Sequence, residues 1–184
     1  MRTHLKLNLT VSIAVLGFSC AVPSAQASDK GWDDASTVVR DALVVAAIGA
    51  PVVQGDWNGA LQAGGSMAAA TLVSTGLKEA FPETRPDGSD RKSFPSGHAS
   101  ISFAAAATLQ NRYGWEAGIP AQLAALFVGV ARVKANKHHW YDVAAGAAIG
   151  ETAGFLIPNR RSDKVQVFPW GDTKGAGLSM AMRF

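Results

Sequence analysis

The sequence predicts an all-α protein, a helical bundle of about five core helices with a short C-terminal β-hairpin. Three observations predict it. Gly and Ala are abundant throughout, which suits helices that approach one another closely. There is no internal repeat and no long linker, so one body is expected. The composition is 48% hydrophobic and 17% charged, far from the low-hydropathy, high-charge signature of a disordered chain.

Residues 1–27 read as a secretory signal. Arg2 and Lys6 give a basic start, residues 7–18 are mostly apolar, and Ala25-Gln26-Ala27 fits a small-x-small cleavage site. The apolar run is short for a membrane span of roughly 20 residues, which favours cleavage over anchoring. Cys20 is the only cysteine, so no internal disulfide and no cysteine-based zinc cluster can form. Residues 28–184 then form a single domain. Without Arg2 and Lys6, 15 basic residues face 14 acidic ones. That balance gives no case for a nucleic-acid partner, which needs clustered positive charge.

The first helix is expected over about 34–50, with acidic residues at its start and Pro51 at its end. Gly55-Asp56-Trp57-Asn58-Gly59 is a turn. The second helix covers about 60–80, and 58–77 is the one uncharged stretch long enough to span a membrane. Residues 82–95 form a polar loop. The third helix runs from about 97 to 112, the fourth from 120 to 133, and the fifth from 138 to 156, closed by Pro158. The tail then changes period. Lys164-Val165-Gln166-Val167-Phe168 alternates, as do Leu178, Met180, Met182 and Phe184, which predicts a hairpin at about 164–184.

Three separated segments carry chemistry. Lys78 ends the second helix and Arg85-Pro86 follows after six residues. Phe94-Pro95-Ser96-Gly97-His98 leads into the third helix. Arg132 ends the fourth, with His138 five residues further on and Asp142 after three more. A phosphate monoester carries close to two negative charges, which Lys78, Arg85 and Arg132 would neutralise. The two arginines add forked hydrogen bonds. Ser96-Gly97 stands at a helix start, where free N–H groups face an anion and glycine allows close approach. This is an anion pocket that needs no metal.

His138 and Asp142, four apart at the expected start of the fifth helix, would share a face roughly 5–6 Å apart at Cβ. The carboxylate would hold a proton on one imidazole nitrogen and leave the other as a nucleophile. His139 would point about 100° away and finds Val143 four residues on, so spacing selects His138. His98 is placed to protonate a leaving alkoxide. Each feature alone has a structural explanation: a helix-end lysine, a loop dipeptide, a capping serine, a surface ion pair. Their ordered combination favours function. Trp57, Trp115, Trp140 and Tyr141 are read as packing or interface residues.

These residues resemble the three-part signature of the type-2 phosphatidic acid phosphatase and vanadium haloperoxidase superfamily. Its pattern is Lys-x6-Arg-Pro, then Pro-Ser-Gly-His, then Ser-Arg-x5-His-x3-Asp. The chain departs from it once, with Ala131 in place of the serine beside Arg132. The resemblance implies a helical bundle with its site at one end. It implies that His138 is a nucleophile forming a phosphohistidine, that Asp142 orients it, and that His98 protonates the leaving group and then activates water. Lys78, Arg85, Ser96, Gly97 and Arg132 would hold the phosphoryl oxygens, with no metal and no cofactor.

The expected activity is hydrolysis of a phosphomonoester or diphosphate, with a lipid phosphate favoured. The expected location is the periplasm or cell envelope, at a membrane surface. Two alternatives stay open: a vanadate-dependent haloperoxidase using the same pocket, and a non-enzymatic envelope protein docking through its terminal hairpin. For the hydrolase vanadate would be an inhibitor, and for the haloperoxidase a cofactor. The sequence does not specify the oligomeric state.

Overall fold

A computed structural model describes residues 28–159, and the backbone of 165–172 and 175–182. The expected targeting segment, residues 1–27, lies outside the described residues.

Five helices make up the architecture: α1 (Asp29–Val53), α2 (Trp57–Ala80), α3 (Gly97–Tyr113), α4 (Trp115–Lys134) and α5 (Trp140–Leu156). Ser28 caps α1 by accepting from the Gly31 amide at 3.1 Å, so this helix starts a turn earlier than expected. Pro51 lies inside its last turn and does not stop it. The chain leaves the helix beyond Pro51, where the Gln54 and Asp56 amides turn back onto its carbonyl at 3.1 and 2.9 Å. Asp56 caps α2 through the Gly59 amide at 2.8 Å. Gly114, at φ 80°, is the single residue between α3 and α4. That left-handed conformation suits glycine and reverses the chain in one step. Pro120 accordingly sits inside α4, not at its start.

These longer helices correct the expectation about membrane-length segments. α1 and α4, not 58–77, are the two helices among the described residues that are long and apolar enough to cross a bilayer. Arg40 and Asp41 argue against a span in the first helix on charge, and Pro120 taken as a start cuts the fourth short.

α3 is the central helix and packs against the other four. Ala104, Ala105, Ala106 and Ala107 are buried on every side, as a helix surrounded by others requires. α5 lies on α3 with almost no side chain between them. A Cβ on Gly146, Gly150 or Gly154 would stand 2.4–2.6 Å from backbone oxygens of Ser96, Ser100 and Ala104. Polar contacts lock α2 to α3: Ser74 Oγ donates to Ser100 Oγ at 2.7 Å, and Ser66 and Thr108 hydroxyls meet at 2.9 Å. Leu43, Met67, Leu109 and a set of alanines complete the core. Outward faces carry large apolar side chains, among them Leu61, Leu72, Leu123 and Leu156.

Beyond α5, the hairpin expected at about 164–184 falls on a segment of which only the backbone of Val165–Asp172 and Gly175–Met182 is described, and it is not supported as part of the fold. No side chain of this segment is among the described residues, and the helical architecture does not rest on it.

Candidate active site

One end of the bundle gathers the N-terminal part of α1, the C-terminus of α2, the N-termini of α3 and α5, and the C-terminus of α4. The polar loop 81–96 closes over it. Its backbone is pinned by Ser93 N–H to the Glu83 carbonyl at 2.9 Å and Asp87 N–H to the Asn136 carbonyl at 3.0 Å.

Lys78 turns its ammonium back onto this loop, donating to the carbonyls of Lys92 at 2.8 Å and of Pro95. Burial, then the positive charge of Arg85, lower its pKa to about 8, while Asp142 and Asp90 pull the other way. Arg85 is held by Asp90 through Nε at 2.7 Å and reaches the Lys137 carbonyl at 3.4 Å. Ser96 is fully buried and starts α3; its amide donates to the Asp142 carbonyl at 2.9 Å. A Cβ on Gly97 would meet only the Lys78 Cε, at 4.0 Å, so the space over this helix start is open and cation-lined.

Arg132, buried in the last turn of α4, pairs with Asp33 and donates to Ser36 Oγ at 3.4 Å. Both partners come from α1. Ala131 offers no hydroxyl, whereas Ser36 places one 3.4 Å from Arg132 NH1.

His138 does not stand on α5. The helix begins at Trp140 with His139 as its N-cap, and Asp142 is the third helical residue, accepting from the His139 amide at 2.8 Å. The helix-face argument for His138 is therefore corrected. A turn, not a shared face, delivers the ring, with Nδ1 3.6 Å from Asp142 Oδ2. The His139 ring is no farther from that oxygen, at 3.4 Å, and also approaches Glu83 at 3.6 Å. What separates the two histidines is their surroundings. His139 stacks on Tyr141, with centroids 5.0 Å apart, on the outer side. His138 is 2% exposed and faces the cations. Burial, then Arg132, Arg85 and Lys78, lower its pKa to about 2, with the Ser93 main chain opposing.

His98, in the first turn of α3, has two of these charged neighbours, Arg132 and Arg85. Burial, then Arg132 and Arg40, push its pKa down to about 3; Arg85 adds to this and Asp33 opposes it. Its Nε2 lies 2.9 Å from Arg40 NH1 and 3.2 Å from Thr37 Oγ1. The two imidazoles thus share Arg132 and Arg85 as charged neighbours. Three of the pocket's cations and both rings come from the sequence pattern, and the structure brings them together.

Sequence reasoning missed two contributions. Ser93 donates to Asp142 Oδ2 at 2.5 Å and fixes the buried carboxylate. α1 supplies Asp33, Ser36, Thr37 and Arg40, polar positions that share one face of the helix and precede its apolar C-terminal half; that stripe was the available signal. Trp57, Trp115 and Trp140 are 67%, 68% and 73% exposed, and so stand on the surface instead of packing inside.

Electrostatically, burial and the surrounding cations hold both imidazoles in the neutral form. Unspent hydrogen-bonding capacity remains in the pocket: His138 Nδ1, Asp142 Oδ1 and Arg132 Nε are buried without a partner. An oxyanion placed there would meet donors and positive charge from several helices. Glu83, His139 and Asp142 also bring one potential ligand atom each within 4.8 Å of one another, on the outer side of Asp142.

A family model described as the PAP2 superfamily matches residues 59–166. Among curated proteins, the lipid A 4'-phosphatase of Helicobacter pylori is 31% identical over 115 residues, covering 54% of this chain and 58% of that protein. The lipid A 1-phosphatase of Porphyromonas gingivalis is 36% identical over 88 residues, 46% of this chain and 20% of that protein. The chain thus spans less than two thirds of the length of either relative. The fold is similar to that of Aquifex aeolicus LpxE, at TM-score 0.60 and 20% identity over 70% of this chain and 83% of the other. A transmembrane PAP2-type phosphatidylglycerolphosphate phosphatase from Bacillus subtilis gives TM-score 0.57 at 21% identity, over 70% and 74%.

Proposed function

The chain belongs to the PAP2 superfamily, and from that premise we propose that it is a metal-independent phosphoric ester hydrolase acting on a lipid phosphate. The observation that carries the reading is the burial of His138 among Arg132, Arg85 and Lys78. A ring kept neutral there has a free lone pair at the working pH, and the cations that keep it neutral are those an incoming phosphoryl group needs.

The proposed sequence has two steps. A phosphate monoester seats its oxygens against Lys78, Arg85, Arg132 and the Ser96-Gly97 helix start. His138 attacks phosphorus through Nε2, forming a P–N bond as the P–O bond to the leaving group breaks. His98, protonated once the dianion offsets the pocket's positive charge, gives its proton to the leaving oxygen. In the second step His98 takes a proton from water, whose oxygen attacks phosphorus and releases inorganic phosphate from His138. Asp142, held by Ser93, faces His138 Nδ1 and stabilises the charge on the ring as the 3.6 Å gap closes.

A lipid substrate and membrane association are supported by the molecule's exterior and by its relatives' names. A groove of about 350 Å³ starts at Arg40 and runs between α1, α2 and α3 past Val44, Ile48, Met67 and Ile101. The apolar outer faces of the helices suit contact with acyl chains. The two curated relatives are named as lipid A phosphatases, and lipid A joins phosphatidic acid, phosphatidylglycerol phosphate and polyprenyl diphosphate as a substrate to test. Export to the cell envelope belongs to the same proposal.

The test is a panel of those lipids against soluble sugar and nucleotide phosphates, in detergent with EDTA. The reading expects phosphate release from a lipid to survive the chelator and to exceed release from soluble esters. Release that requires an added divalent cation contradicts it.

A further inference from the structure

Two side chains of opposite hydrogen-bonding character reach one nitrogen of His98. Arg40 NH1 stands 2.9 Å from Nε2, and a guanidinium can only donate, so this contact needs a lone pair on Nε2. Arg40 is aimed by Asp41, which accepts from its Nε and NH2 at 2.9 and 2.7 Å. Thr37 Oγ1 lies 3.2 Å from the same nitrogen. Its single proton goes to the Asp33 carbonyl at 3.1 Å, which leaves the oxygen an acceptor, suited to a proton on Nε2. Nδ1 makes no hydrogen bond among the described residues and is the nitrogen free to react.

We propose that Arg40 and Thr37 compete for Nε2 of His98, Arg40 holding the ring in a resting neutral form with its proton on Nδ1, and Thr37 holding the forms that move protons. This rests on the hydrolase reading above. The proton balance requires such an exchange. A neutral ring protonated on Nδ1 is neither a useful acid nor a base at that atom. The imidazolium has both nitrogens protonated; giving up the Nδ1 proton to a leaving oxygen leaves Nε2–H bonded to Thr37. The freed Nδ1 lone pair then takes a proton from water and restores the imidazolium. In both working forms Nε2 is a donor, which Arg40 cannot serve and Thr37 can. Substrate favours the change, because a dianion beside Arg132 and Arg85 offsets the charges that oppose an imidazolium. The charged groups facing His98 are Asp33 and Arg40 from α1, Arg132 from α4 and Arg85 from the α2–α3 loop. Arg40 and Thr37 are positioning residues; they act through the ring.

The experiment pairs ¹⁵N NMR of the imidazoles in the full chain with pH profiles of kcat/KM for wild type, Arg40→Ala and Thr37→Val. Wild type without substrate should show Nε2 unprotonated. Arg40→Ala should move the neutral ring toward the Nε2–H tautomer and shift the alkaline fall of kcat/KM to higher pH. Arg40→Lys, which restores a donor and a charge, should return both toward wild type. Thr37→Val should keep the resting tautomer and lower kcat roughly tenfold or more with KM little changed. An unchanged tautomer and an unchanged profile in Arg40→Ala would overturn the proposal. If wild type releases no phosphate the hydrolase reading fails, and the NMR comparison alone decides whether Arg40 governs the His98 tautomer.

Discussion

Gly146 of α5 lies against the main-chain carbonyl of Ser96: a Cβ added to it would stand 2.5 Å from that oxygen and 3.1 Å from the Ala99 Cβ. The helix that follows the candidate nucleophile is thereby seated on the residue that opens the anion-facing helix. The Ser96 amide returns the contact by donating to the Asp142 carbonyl at 2.9 Å. Two sequence segments about 45 residues apart are fixed to each other backbone to backbone, with no flexible side chain to absorb error.

Gly146→Ala should therefore destabilise the protein although alanine is the better helix former. Overpacking against rigid backbone costs about 1–3 kcal/mol, more than the roughly 1 kcal/mol gained in propensity. Gly49→Ala on α1 is the control, since nothing lies within 4 Å of its added Cβ. It should stabilise by about 0.4–1 kcal/mol. Denaturant melts of both variants in the same detergent check the opposite signs.

Acid should unfold the protein through its histidines before its carboxylates titrate. Folded His98 and His138 have pKa values lowered from 6.5 to about 3 and about 2. The unfolded chain therefore binds more protons below pH 6.5, and stability falls as pH drops from there toward the folded values. Between pH 6.5 and about 5, above most carboxylates, His138→Gln should show a shallower loss than wild type. Equal slopes in the two proteins would contradict the assignment of a buried neutral His138.

Ser93→Ala should lower kcat without altering the fold. The hydroxyl donates to Asp142 Oδ2 at 2.5 Å, and the His139 amide at 2.8 Å remains when it is removed. Loss of one hydrogen bond to a buried carboxylate costs about 1.5–3 kcal/mol, part of it in stability. Steady-state kinetics should show the loss in kcat more than in KM, because Asp142 faces the ring and not the substrate.

Anion binding should weaken above pH 8. Lys78 has its pKa lowered to about 8, so its positive charge is present below that pH and lost above it. Competitive inhibition by inorganic phosphate or vanadate should then decline with rising pH in wild type. In Lys78→Met the inhibition should be weaker throughout and flat across the same range.

The positions of the site's cations and rings were legible because they follow fixed spacings along the chain: Lys78 to Arg85, Pro95 to His98, Arg132 to His138 to Asp142. The helix bodies were legible from their apolar stretches. The α1 contribution was not, since Arg40 meets His98 58 residues away and Asp33 meets Arg132 99 residues away. Such contacts depend on tertiary packing, although the 33-36-37-40 polar face hinted at a buried destination. Helix ends failed where proline was read as a terminus, since Pro51 and Pro120 are carried inside last and early turns. The fifth helix was started two residues early, at His138 instead of Trp140, because the capping role of His139 with Asp142 went unread.

The most direct measurement is covalent labelling with a ³²P-lipid phosphate in EDTA, followed by an alkaline quench that preserves phosphohistidine. The account predicts label on the wild-type chain during turnover, and neither label nor phosphate release with His138→Ala. His138→Ala turning over at the wild-type rate would contradict it.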